Sequence, residues 1–159
     1  MHMKIDVKLL IKSIALPLLV GLISGLLTRN AMSQFELLNQ PPLSPPAWLF
    51  PVVWTILYTL MGVSAYLIQT SDASAEEKSD ALTIYYYQLI VNFLWPVFFF
   101  NFGWYLFSFF WLLLLWALVI WMIWRFDKIN KVAAYLNIPY LLWLTFAAYL
   151  NFAIWWINR

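Results

Sequence analysis

The sequence has no cysteine, a single histidine and very little charge. Asp, Glu, Lys and Arg together make up only 10% of its 159 residues. Without thiols there are no disulfides and no thiolate metal sites, and the redox compartment stays unread. So little charge excludes an ordinary soluble domain, in which about a quarter of residues are charged. The net charge is +2 and the basic residues are scattered, which argues against a nucleic-acid partner. The seven acids, Asp6, Glu36, Asp72, Glu76, Glu77, Asp80 and Asp127, are expected in loops or tails. Proton- or sodium-coupled transporters usually place a carboxylate at mid-membrane, and none is available here. A general acid–base pair, a Ser-His-Asp set and a metal cluster all lack parts. His2 sits at the terminus, so a haem iron finds no His, Cys or Asp inside the bundle. No metal site is expected, and no cofactor is required.

What is present is apolar and aromatic. Hydrophobic residues reach 65% and aromatics 21%, with 11 tryptophans, more than two interfacial belts need. A chain of this length cannot hide so much apolar surface in a water-soluble core. The expected class is an all-α integral membrane protein, a five-transmembrane-helix bundle in one domain over 1–159. The predicted helices are about 9–27, 48–68, 82–100, 104–124 and 132–157. Each is near the roughly 20 residues that a bilayer requires. The first run has a basic start like a signal peptide. It is too long for one and no small-x-small cleavage site follows, so it reads as a retained helix. Pro17 is a candidate kink within it, and Gly21 and Gly25 form a small-xxx-small pair that permits close helix contact. Thr70 to Asp80 reads as a solvated turn. Pro96 is expected inside the third helix and Pro139 in the first part of the fifth.

Five spans put the termini on opposite sides. The N-terminal side collects Lys4, Lys8, Lys12, Lys78, Arg125, Lys128 and Lys131, and the other side only Arg29 and Arg159. The positive-inside rule then places the N-terminus in the cytoplasm. The loop between the first two spans faces outward. It is stiffened by Pro41, Pro42, Pro45 and Pro46 and runs through Trp48 into the second helix. Proline fixes φ and removes donors, so this stretch is extended and suited to act as a lid.

Three helices carry aromatic and amide residues at helical spacing. Gln88, Asn92, Trp95 and Phe99 share one face, as do Tyr140, Trp143, Ala147 and Asn151, and again Trp54, Tyr58 and Met61. Buried amides avoid lipid and point inward. The faces fit a cavity for a flat, largely apolar ligand, with Trp N–H and Asn groups fixing its orientation. They fit equally a closed core in which the amides join helices.

Three motifs in order carry a resemblance to a known family. They are the Pro41–Trp48 loop with Val53-Trp54-Thr55-Ile56-Leu57-Tyr58, then Gln88 to Pro96 with Phe98-Phe99-Phe100, then Pro139-Tyr140-Leu141-Leu142-Trp143 through Ala147 to Leu150-Asn151. Together they resemble the TspO/MBR family, the tryptophan-rich sensory proteins of bacteria and the mitochondrial translocator protein or peripheral benzodiazepine receptor. The resemblance implies a five-helix bundle, commonly a homodimer, with a pocket beneath the first loop; a bacterial cell membrane is the expected location. It implies binding of porphyrins and other apolar small molecules, with Trp54, Asn92, Trp95, Tyr140, Trp143, Ala147 and Asn151 as pocket positions. For some bacterial members it implies light-dependent porphyrin breakdown, with Trp54 and Trp143 as the reactive pair. Three positions depart from the family pattern. Leu43 stands where the loop usually has Trp, Trp111 where the fourth helix usually has Asp, and Phe152 and Trp156 where the animal cholesterol motif needs Tyr and Arg.

Overall fold

A computed structural model describes residues 4–159, so His2 lies outside the described residues. Helix α1, Val7–Thr28, starts where the Asp6 side chain accepts from the Leu9 N–H at 3.1 Å. It does not stop near 27. A 3₁₀ turn at Arg29–Ala31 carries it into α2, Met32–Glu36. No proline or glycine interrupts 29–36, so nothing stops the chain from continuing as helix. The connection expected from Thr28 to Ala47 is therefore helical for nearly its first half. The chain then runs through the proline loop to α3, Leu49–Gln69.

Helix α4, Ala75–Pro96, begins well before the expected 82. Ser74 caps it: its hydroxyl accepts from the Glu77 N–H at 3.1 Å and donates to Glu77 Oε1 at 3.2 Å. This pairing of a capping Ser with a Glu three residues on outweighs the polar composition of the first turns. Glu76, Glu77 and Asp80 thus lie on a helix rather than in a turn. Pro96 ends α4, and Val97–Asn101 form a π-helical turn in which the Phe102 N–H donates to the Val97 carbonyl. Gly103, at φ +65°, turns the chain into α5, Tyr105–Asp127.

The fifth apolar run is two helices, α6 at Lys131–Tyr135 and α7 at Ile138–Asn158. Pro139 sits in the first turn of α7 rather than within a continuous helix. That is where a missing N–H costs least, and it prevents α6 from running straight through. Asn137 bridges the break by donating to the Ala133 carbonyl and the Ser64 hydroxyl. Among the described residues, five helical stretches are long and apolar enough to cross a membrane: Val7–Glu36, Leu49–Gln69, Ala75–Asn101, Tyr105–Asp127 and Lys131–Asn158.

Helix α1 packs on α3 and α4, α4 on α5, α5 on α7, and α6 reaches from α5 to α3. The α1–α3 approach depends on Gly62: a Cβ there would meet the backbone of Ile14 and Ser13. Of the expected glycine pair, Gly21 faces the Tyr58 ring and Gly25 faces open space. The dense core lies toward the basic end of the bundle, around Met61, Ile68, Val119, Met122, Phe126, Ala133 and Leu144. There the Asp6 N–H donates to Tyr66 Oη and Lys78 Nζ to the Gln69 carbonyl, which joins the start of α1, the end of α3 and the start of α4. At the opposite end the same helices part.

Candidate functional site

The parting helix ends enclose a cavity of about 650 Å³. That lies within the roughly 300–1,000 Å³ of ligand pockets. The last two turns of α1, α2, the start of α3, the end of α4 and the outer half of α7 line it. Trp54, Asn92, Trp95, Trp143, Ala147 and Asn151 are all on its wall. The face residues named from α3, α4 and α7 therefore converge, although they come from separate stretches of chain.

Tyr140 is not on the wall. It is fully buried below the floor, where its hydroxyl accepts from Asn92 Nδ2 and donates to Gln88 Oε1, both at 2.7 Å. Tyr58 Oη donates to Asn92 Oδ1 at 2.7 Å, so α3, α4 and α7 are pinned at one depth by one side-chain chain. Trp95 donates its indole N–H to Asn151 Oδ1 at 3.0 Å, and Asn151 Nδ2 donates to the Tyr105 carbonyl at 2.8 Å. The amides thus act both as wall and as joints between helices. The same faces thus line a cavity and join the helices around it.

Aromatic rings shape the walls. Trp54 stacks on Tyr58 at 5.3 Å between centroids, and Trp95 on Phe99 at 4.9 Å. Phe50 meets Trp143 edge-on at 5.8 Å. Trp143 also lines a shallow outer groove between α3 and α7, with Val53, Leu57, Pro139, Leu142 and Phe146. It is the partition between the cavity and the lipid-facing surface.

Of the named lid residues, Pro45 reaches the cavity wall, together with Ser44 and Ala47. Pro41, Pro42 and Pro46 do not, and Trp48 points outward with 67% of its surface exposed. The loop is fastened to α7 by contacts with no signal in the sequence. Tyr149 Oη donates to the Pro42 carbonyl at 2.7 Å, and Asn158 pairs with the backbone of Asn39 in both directions at 3.0 Å. Leu43 holds φ 69° and is exposed. Sequence reasoning also missed the α1 and α2 wall, including Gly25, Arg29, Phe35 and Glu36. Hydropathy gives no period along α1, although Ser13, Pro17, Ser24 and Thr28 mark its buried face, and the five residues of α2 are too few to show one. Trp111, at one departure from the family pattern, donates its N–H to the Val91 carbonyl at 2.8 Å and so ties α5 to α4.

The sequence profile of the TspO/MBR family matches residues 13–157. The chain is 34% identical over 146 residues to the tryptophan-rich protein TspO of Chlorobaculum tepidum, covering 91% of this chain and 92% of that one. It is 35% identical over 124 residues to the tryptophan-rich sensory protein of Cereibacter sphaeroides, covering 78% and 76%. It is 33% identical over 149 residues to the translocator protein of Bos taurus, covering 91% and 86%.

Proposed function

This chain belongs to the TspO/MBR family and is an integral membrane protein; from that premise we propose that it is a receptor, sensor or carrier for tetrapyrroles and similar flat apolar ligands. The observation that carries the reading is the aromatic cavity itself. Trp54, Trp95 and Trp143 stand on one wall system around about 650 Å³. Indole faces stack on a flat macrocycle, and each such contact contributes about 0.5–1.5 kcal/mol beyond burial. The names of its relatives, sensory protein and translocator protein, fit a binding role. The test is a titration of protoporphyrin into purified protein, read by tryptophan fluorescence. Saturable quenching is the expected result; a linear, non-saturating response would overturn the reading. The proposal includes a bacterial cell membrane with the N-terminus cytoplasmic. It also includes a homodimer, which the mass of the purified protein in detergent would check.

A second reading is supported by Trp54 and Trp143 sharing the cavity. Two oxidisable indoles against a bound porphyrin suit light-dependent porphyrin breakdown. Loss of porphyrin absorbance in light but not in darkness, abolished by replacing both indoles with Phe, would favour the enzyme over the sensor.

A further inference from the structure

The polar groups along the cavity wall are largely committed to the protein. Tyr58 and Trp95 donate to the side chains of Asn92 and Asn151, and these amides donate onward to Tyr140 and the Tyr105 carbonyl. The hydroxyls of Ser24, Thr28 and Ser44 donate to backbone carbonyls of Phe93, Ser24 and Pro41. A ligand in the inner cavity therefore meets stacking surface and, besides the indole N–H groups of Trp54 and Trp143, few free donors. The sequence-based expectation that Trp N–H and Asn groups orient the ligand leaves its orientation under-determined.

The mouth is different. Arg29 and Glu36 are the charged residues on the wall. Arg29 opens the turn between α1 and α2, and Glu36 closes α2. Both are exposed. Among the described residues, no group lies within ion-pair or hydrogen-bonding distance of the Arg29 guanidinium. Arg29 and Arg159 are the two basic residues assigned to this end of the bundle. A guanidinium offers a planar fork of donors that matches a carboxylate with two parallel hydrogen bonds. An amphipathic acid entering from the membrane would keep its apolar body among the aromatic walls and its carboxylate at the charged, exposed mouth, where Arg29 stands.

We propose that Arg29 is the specificity-determining residue of the cavity: it receives a carboxylate carried on the edge of a flat apolar ligand and so makes this a site for amphipathic acids. Glu36 opposes acids whose charge does not reach Arg29. This inference rests on the tetrapyrrole reading of the same cavity and deepens it. The competing role for Arg29 is a headgroup anchor, its stem along the apolar surface and its charge in the interface.

The experiment compares protoporphyrin with its dimethyl ester, and in parallel a long-chain fatty acid with its methyl ester. Each is titrated into the wild type and into Arg29→Gln, Arg29→Lys and Glu36→Gln in a neutral detergent, with matching melting temperatures as the folding control. Arg29→Gln is expected to weaken the free acid about tenfold, the low end for a hydrogen bond to a charged group because the mouth is exposed, and to leave the ester unchanged. Arg29→Lys should recover part of the loss, and Glu36→Gln should tighten the acid about twofold by removing a like charge. Equal shifts for acid and ester, or none for either, would make Arg29 a headgroup anchor and overturn the inference while leaving the tetrapyrrole reading intact. If the porphyrin pair fails to bind but the fatty-acid pair discriminates through Arg29, the tetrapyrrole reading falls and acid selectivity stands. If neither pair binds, both fall.

Discussion

The two halves of this bundle use the same five spans in opposite ways. Toward the basic end the helices touch: Gly62 lets α3 meet the backbone of α1, and Ser64, Ala133 and Asn137 close α3 onto the α6–α7 break. Toward the other end they part around a cavity whose walls are rings and whose cover is a fastened loop. Lipid tails are as apolar as the side chains, so no hydrophobic force closes a bundle in a membrane. Closure needs small residues and interhelical hydrogen bonds. Where bulky aromatics replace small residues, as at Trp54, Trp95 and Trp143, the bundle stays hollow. The difference teaches that close packing and binding are concentrated in separate halves, joined at the depth of Asn92 and Asn151, whose amides serve both, and substitutions can test that separation.

The largest effect is expected at Gly62. In Gly62→Val the new side chain enters the backbone of Ile14 and Ser13, which cannot move without displacing α1. Overpacking typically costs about 1–3 kcal/mol, and a backbone collision belongs at or above the top of that range. The melting temperature in detergent should collapse. Gly25→Ala, where a Cβ meets nothing within 4 Å, should leave it unchanged. Equal melting temperatures for the two variants would show that the closed half is not closed by glycine.

Next is Ser64→Ala. Ser64 is fully buried, donates to the Ala133 carbonyl at 2.7 Å and accepts from Asn137 Nδ2 at 2.7 Å. Removing the hydroxyl leaves one buried N–H of Asn137 without an acceptor, while the Ala133 carbonyl keeps Asn137 Nδ2, so the cost is about 1–3 kcal/mol. Thermal stability should fall while porphyrin affinity in the surviving folded protein stays the same. A parallel loss of affinity would mean that the halves are coupled.

How much of this was legible in the sequence follows the same division. The spans could be read because a bilayer imposes a length and an apolar composition on each. The α3, α4 and α7 walls could be read because amides and tryptophans recur at three- and four-residue spacing. The capping pair Ser74 and Glu77 was legible in principle, but hydropathy outweighed it. The break at Asn137 before Pro139 is masked in the same way, because apolar residues run on through Leu136 and Ile138. The α1–α2 wall and the Tyr149 and Asn158 fastenings were not legible. Hydropathy shows no preferred face on α1, whose buried stripe of Ser13, Pro17, Ser24 and Thr28 is marked by small and polar residues instead, and a contact over a separation of 107 residues, as between Pro42 and Tyr149, leaves no local pattern.

A smaller effect separates two tryptophans. Trp143 is on the cavity wall, whereas Trp116 sits outside it and donates its N–H to Thr145 Oγ1 at 2.9 Å. Trp143→Phe keeps a ring but reduces stacking area, so a loss of about 0.5–1.5 kcal/mol in porphyrin affinity is expected. Trp116→Phe should leave affinity unchanged. Equal quenching curves would mean that the helix-α7 face serves as core alone.

The smallest effect is expected at the loop, where cover and fastening can be told apart. Proline limits the conformations of the unbound loop, so a closed lid costs less to order when ligand binds. Pro45 is the proline on the cavity wall, and Pro45→Gly should weaken porphyrin binding by about 0.4–1 kcal/mol through that entropy alone. Tyr149→Phe acts differently. It deletes only the hydroxyl that donates to the Pro42 carbonyl and leaves the ring on Phe146 in place, with centroids 6.1 Å apart. Tyr149 is 38% exposed, so its hydrogen bond should contribute about 0.5–1 kcal/mol, the lower end for such a bond. Releasing the fastening lets the loop open more often, so ligand dissociation should quicken by up to about fivefold while the melting temperature hardly changes. Stopped-flow dilution of the porphyrin complex, beside a thermal melt, distinguishes the outcomes. Faster dissociation at constant melting temperature makes the segment a lid held by α7. An unchanged rate removes the lid, and a lowered melting temperature makes the loop a brace for the hollow half.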